Sequence, residues 1–182
     1  MKDLFSILSE LEKDEHIHLG RLLLLLNVFS GDNHLGEIEG LTKLAKLDFL
    51  LRYPVYLERA LAQTGKQMKK SPPLDFERKS VETKMIRFKY GPWDFRYRRF
   101  INTLIGLDLV YIRQGGRSYY LGITEKGVSK ANELQVNEAF YDLLERAKII
   151  KSHFNLSGTN LMRFIYKTFP EIGTLEYGKE II

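Results

Sequence analysis

Five consecutive leucines, Leu22 to Leu26, sit between Arg21 and Asn27. Together with the flanking apolar residues they predict a helix over residues 18–29 that is apolar nearly all round. Such a helix has no face suited to water, so it must be enclosed by other elements. Extended through Phe29 it is still far short of the roughly 20 residues a membrane span needs. The expectation is a soluble, cytoplasmic protein with no membrane partner. The start of the chain, Met1-Lys2-Asp3, lacks the features of a signal peptide. Gly31-Asp32-Asn33 predicts the loop that ends the helix.

The partners for that helix are readable on either side. Leu4, Ile7, Leu8 and Leu11 recur at helical spacing, which predicts an amphipathic helix over 3–14. The first sixteen residues carry a net charge of −3 (Lys2 and Lys13 against Asp3, Glu10, Glu12, Asp14 and Glu15). A further helix is expected after Gly40, with Thr42 as its N-cap, a broad apolar face from Leu44 to Leu51, and Lys43 and Lys46 on a polar face. Tyr53-Pro54 breaks it, and Pro54 suits the first turn of the next helix, which runs to about Gln63. Residues 65–80 contain Pro72-Pro73 and dense charge, and predict a surface loop insert. Val81 to Tyr90 has room for a short strand, with a turn at Gly91-Pro92.

Charge is segregated along the chain. The whole chain has a net charge of +5. Lys84 to Arg99 alone supplies as much, with six basic residues against Asp94. A mildly basic chain accommodates a polyanionic partner without requiring one. Within this region Asp94 is read as the N-cap of a helix from Phe95 to about Gly106, with Tyr97, Phe100, Ile101, Leu104 and Ile105 as its buried stripe. Leu109 to Arg113 reads as a strand, Gln114-Gly115-Gly116-Arg117 as a turn needing positive φ, and Ser118 to Ile123 as the returning strand. Thr124 caps the following helix, which has Gly127 in its first turn. Helices are expected at about 137–153 and 158–169. Pro170 is read as a stop, followed by an irregular tail.

A helix, a glycine-tipped hairpin and a closing strand running into T-E-K-G resemble the winged helix-turn-helix domain. The fold class expected is mainly α with one small β-hairpin: an acidic N-terminal helix at 1–16, a winged-helix core at 17–135 and a C-terminal helical extension at 136–182. The resemblance places the Phe95 helix where a recognition helix lies. Arg96, Arg99, Asn102 and Thr103 on its outer face, and Arg113 and Arg117 near the wing tip, are then the candidate DNA contacts. An Arg-rich helix face is also an ordinary solvated face, and winged helices also dock proteins.

Three stretches taken in order carry a more specific likeness: T-K-L-A-K-L-D-F-L-L-R-Y-P-V-Y-L-E-R-A-L (Thr42–Leu61), F-K-Y-G-P-W-D-F-R-Y (Phe88–Tyr97) and S-G-T-N-L-M-R-F-I-Y-K-T-F-P-E (Ser157–Glu171). The chain resembles the middle component of bacterial ABC-three-component, Lamassu-type, anti-phage defence systems. That resemblance implies a non-catalytic adaptor between an SMC/Rad50-like ABC ATPase and an effector, often a nuclease, with double-stranded DNA as a further contact. The alternative is a stand-alone winged-helix transcription regulator, which predicts a symmetric dimer.

No enzymatic constellation emerges. There is no G-x-x-x-x-G-K-[ST] phosphate loop, no Ser-His-Asp arrangement and no paired-acid spacing. The chain has no cysteine and four histidines, and His16 and His18 sit at a spacing that does not chelate from a helix. The expectation is no enzyme, no cofactor and no metal. Asp48, inside an apolar run, is read as a structural partner of Arg52. Trp93, the only tryptophan, is read as packing over the start of the Phe95 helix. Phe88, Tyr90, Trp93, Phe95 and Tyr97 mix strand, turn and helix, so they do not share one stacking platform.

Overall fold

A computed structural model describes residues 15–78 and 85–181. The predicted acidic helix at 3–14 lies outside these residues. The leucine run forms α1 (Glu15–Ser30). Every residue from His18 to Asn27 is buried. α1 packs against four later elements, which is how an all-round apolar helix escapes water.

β1 (Ile38–Glu39) hands directly to α2 (Gly40–Arg52), and α3 (Pro54–Gln63) follows with Pro54 in its first turn. Thr42 is not the N-cap: the cap position falls three residues earlier, at Glu39, whose side chain makes no capping bond. α2 is enclosed on nearly all sides, and every residue from Lys43 to Arg52 is buried. The expected polar face of Lys43 and Lys46 is therefore almost wholly covered. The 65–78 segment forms no helix or strand but is fastened. Arg146 donates to the carbonyls of Ser71 and Pro72 and grips the Glu77 carboxylate through Nη1 at 2.6 Å and Nη2 at 2.8 Å.

β2 (Ile86–Phe88) and β3 (Gly91–Trp93) form a hairpin with Phe88 opposite Gly91. Gly91-Pro92 is thus strand, and the turn falls at Lys89-Tyr90. α4 spans Tyr97–Gly106 and opens two residues later than expected. Asp94 is not its N-cap; its Oδ1 accepts from the Arg96 amide in the turn before the helix. The buried stripe of α4 is Tyr97, Phe100, Ile101 and Leu104.

β4 (Val110–Gly115) and β5 (Ser118–Ile123) pair antiparallel, with Gly116 at φ +61° in the reversal. β1 joins the far edge of β5, Ile38 opposite Leu121, giving the sheet order β1–β5–β4. Thr124 caps α5 (Glu125–Gln135) by accepting from the Gly127 amide. A 3-10 turn at Glu138–Phe140 leads into α6 (Tyr141–Phe154), and α7 (Gly158–Thr168) follows. Pro170 starts α8 (Pro170–Thr174) rather than ending the helical region. The tail is ordered too. Ile181 is buried and donates its amide to the Met85 carbonyl, and Arg87 exchanges backbone bonds with Lys179 and Gly178. The fold is mainly helical with two small antiparallel sheets around one apolar core. Among the described residues, no helix is long and apolar enough to cross a membrane.

Candidate nucleic-acid interface

The position of α4 is set from beneath by a buried polar network. Arg21 on α1 binds Asp48 on α2 through both oxygens, Nε–Oδ1 at 2.6 Å and Nη2–Oδ2 at 3.1 Å. The Tyr97 hydroxyl at the start of α4 donates to the same carboxylate at 2.7 Å. Asp48 therefore pairs with Arg21, not Arg52 as the sequence spacing predicts. Arg52 reaches instead to Asp94, Nη1–Oδ2 at 3.0 Å. Burial alone pushes the Asp48 carboxyl up, but Arg21 outweighs it and holds the group below its ordinary range. Asp94 behaves likewise, held far down by Arg96 and Arg52 against the effect of burial. His18 stacks on Phe100 at 5.3 Å. Burial, with Arg21, Arg52 and Arg96 nearby, lowers its pKa to about 4, so it is neutral near pH 7.

This network sorts the six predicted contact residues. Arg96 is half-buried and spent, with Nη2 on Asp94 at 2.7 Å and Nη1 within 3.4 Å of His18. Arg113 is bound to Glu37 through Nε at 3.0 Å and through Nη2. Thr103 is half-buried. Arg99 and Asn102 are exposed on the outer arc of α4; among the described residues Arg99 lies over the Phe100 ring at 5.6 Å and its one ion pair is an exposed contact with Glu15 at 3.4 Å. An exposed pair of that length contributes little and yields readily to a phosphate. Arg117, at the hairpin tip, is exposed with no ion pair among the described residues. Of the six candidates, Arg99, Asn102 and Arg117 are the accessible ones.

Two further cations were missed by the sequence reading. Arg98 is exposed on the flank of α4 and lines a groove that also takes in Ser118 and Tyr119, next to Arg117. Lys46 lines the same groove from α2. Helical periodicity put Lys46 on a polar face of α2 but gave no signal that it and Arg98 line one groove, because that depends on which elements surround the helices. Trp93 packs edge-on to Tyr97, the first residue of α4, with ring centres 5.5 Å apart, and stacks on Phe88 at 6.0 Å. Tyr97 is buried whereas Phe88, Tyr90 and Phe95 are exposed, so the aromatic series does not form one platform. Among the described residues, no cluster of His, Asp and Glu has a metal-binding arrangement.

Lys46 gives a direct test of this geometry. Burial lowers its pKa from the usual 10.5 to about 8, with no carboxylate opposing the shift. Between pH 8 and 10.5 the unfolded chain therefore binds more protons at this residue than the folded chain, and stability rises with pH through that window. The other ionisable groups in the groove are Glu39, Tyr90, Arg98 and Tyr119, so the comparison is with Lys46→Met, in which they are retained. Urea unfolding from pH 7.5 to 10.5 should show wild type gaining on the order of 2 kcal/mol relative to Lys46→Met. Parallel pH curves would mean that Lys46 is solvated.

No protein-family model matches the chain, and no curated protein and no solved structure matches it significantly.

Proposed function

We propose that the chain is a non-catalytic winged-helix subunit that lays α4 and the β4–β5 hairpin on duplex DNA. The observation that carries this is the sheet order β1–β5–β4, entered directly from a helix whose outer arc holds Arg99 and Asn102. In a winged helix that arrangement presents the helix to the major groove and the hairpin tip, here Arg117, to the backbone. Within this proposal, the three stretches that resemble the Lamassu-type middle component make the chain an adaptor in the cytoplasm. Its partners are an SMC/Rad50-like ABC ATPase and an effector, and ATP is hydrolysed by the partner.

Fluorescence anisotropy with a labelled duplex tests the DNA contact. Arg99→Ala with Arg117→Ala should weaken binding roughly tenfold near 100 mM salt. It should also flatten the slope of log K against log salt by about 2, one per lost phosphate contact. Both side chains are exposed, so folding is not at stake. An unchanged slope in the double variant removes the assignment. The adaptor role is tested by tagging the chain in its own gene neighbourhood and purifying without crosslinker. Stoichiometric recovery of a coiled-coil ATPase is the expected result. Recovery of the chain alone as a dimer overturns it in favour of a regulator.

A further inference from the structure

A groove of about 630 Å³ runs between the flank of α4, the core-facing side of the β4–β5 hairpin beyond its buried end, and the starts of two helices. Duplex binding through Arg99 and Arg117 does not use it. Lys46 is 2% exposed and lies against it. Its stem passes over Gly91, where a β-carbon would sit 3.4 Å from Lys46 Cε; with φ at +122°, that position is suited to glycine. The ammonium donates to the Thr42 carbonyl at 3.0 Å and meets no carboxylate among the described residues. A buried cation without a counter-charge is costly unless something supplies one.

The surroundings suit an anion. Leu41-Thr42 at the start of α2 and Gly158-Thr159 at the start of α7 line the groove; neither first turn carries an acid, although Glu39 at the α2 cap position also lines it, and at α7 Ser157 Oγ already accepts the Asn160 amide. Helix starts expose amide donors and a partial positive charge. At α2 no side chain caps those amides, because Glu39 turns its carboxylate to Ser118 Oγ at 2.8 Å instead. Arg98 adds a second, exposed cation with no ion pair among the described residues. Trp93 and Tyr119 supply aromatic walls. Fixed cations beside aromatic rings match a phosphate carried on a flat ring system.

We propose that this groove binds a nucleoside 5′-phosphate, either free or at the end of a DNA strand, holding the phosphate between Lys46, Arg98 and the two helix starts and the base against Trp93 and Tyr119.

Because Trp93 is the only tryptophan, its emission reports on the groove directly. Adenosine 5′-monophosphate should change that emission saturably, and adenosine at equal concentration should not. Inorganic phosphate should compete. Lys46→Met and Arg98→Met should each weaken the response roughly tenfold or more, while Lys130→Met, an equal charge change at a remote exposed site, should not. Arg98 is exposed, so its variant keeps the test valid if Lys46→Met is unstable. A second arm compares 5′-phosphorylated with 5′-hydroxyl single strands. Tighter binding of the phosphorylated strand than of the free nucleotide names the strand end as the source; the reverse names the free nucleotide. Equal responses to the nucleotide and adenosine, or unchanged affinity in both groove variants, overturn the proposal. Duplex affinity of Arg99→Ala with Arg117→Ala is read separately, so failure in the groove leaves the duplex reading to stand or fall alone.

Discussion

Asp48→Ala is expected to cost about 3–5 kcal/mol of unfolding free energy. The carboxylate is fully buried and receives two bonds from Arg21 and one from Tyr97. Removing it leaves the Arg21 guanidinium buried without an anion, and Arg52 and Arg96 crowd the same region with Asp94 alone to offset them. An unpaired buried charge is far more costly than a missing pair. The double substitution Arg21→Met with Asp48→Leu should therefore recover most of the loss. Urea denaturation of wild type, Arg21→Met, Asp48→Leu and the double variant forms a complete cycle. A loss below about 1 kcal/mol for Asp48→Ala would show that water reaches the site and screens the charges. Because Tyr97 opens α4, the variant should also loosen the helix assigned to DNA, and duplex affinity should fall in parallel with stability.

Gly127→Ala sets two physical rules against each other. In an exposed helix, alanine is favoured over glycine by about 1 kcal/mol. Here a β-carbon would lie 2.0 Å from the Leu109 carbonyl oxygen and 2.7 Å from Ile123 Cγ1. The obstruction is backbone, so it does not swing aside. Leu109 O also accepts the Thr124 amide at 3.1 Å, and Gly127 N donates to Thr124 Oγ1 at 2.9 Å. Moving α5 away to relieve the clash strains both bonds. The expected loss is about 3 kcal/mol, at the upper end for overpacking. With an unfolding entropy proportional to chain length, that lowers the thermal midpoint of this 182-residue chain by roughly 6–12 °C. A raised midpoint on thermal unfolding would show that α5 does not pack this closely on the β4 entry.

Local chemistry made some of the structure legible. The leucine run demanded an enclosed helix, and α1 is enclosed. Thr124 caps α5, and Gly116 takes positive φ in the β4–β5 turn, because both features depend on neighbours within a few residues. Features decided by distant elements were not legible. Asp48 was assigned to Arg52 by helix spacing, but its partner Arg21 comes from another helix 27 residues away. Lys43 and Lys46 fit a polar face by periodicity, yet both are buried because α2 is surrounded. Asp94 had the chemistry of an N-cap; it accepts the Arg96 amide in the turn before α4, while the Arg96 and Arg52 side chains share its carboxylate. The candidate interface divides in the same way. Arg99, Asn102 and Arg117 were visible as exposed polar residues, whereas the engagement of Arg96 and Arg113 depends on Asp94, His18 and Glu37.

The bonds from residues 178–181 to Met85 and Arg87 bear on how the chain is made. A ribosome delivers α1, α2 and α3 early; α2 and α3 pack on each other, whereas α1 finds its main partners in α4, α5, α6 and β5, which follow. The hairpin leading into α4 is different. Its first strand gains a second edge partner only when residues translated some ninety positions later emerge. Until then β2 presents open backbone donors and acceptors beside three exposed aromatic rings. The β2 edge therefore stays open to mispairing until residues 178–181 have been made, at the segment that introduces the helix assigned to DNA.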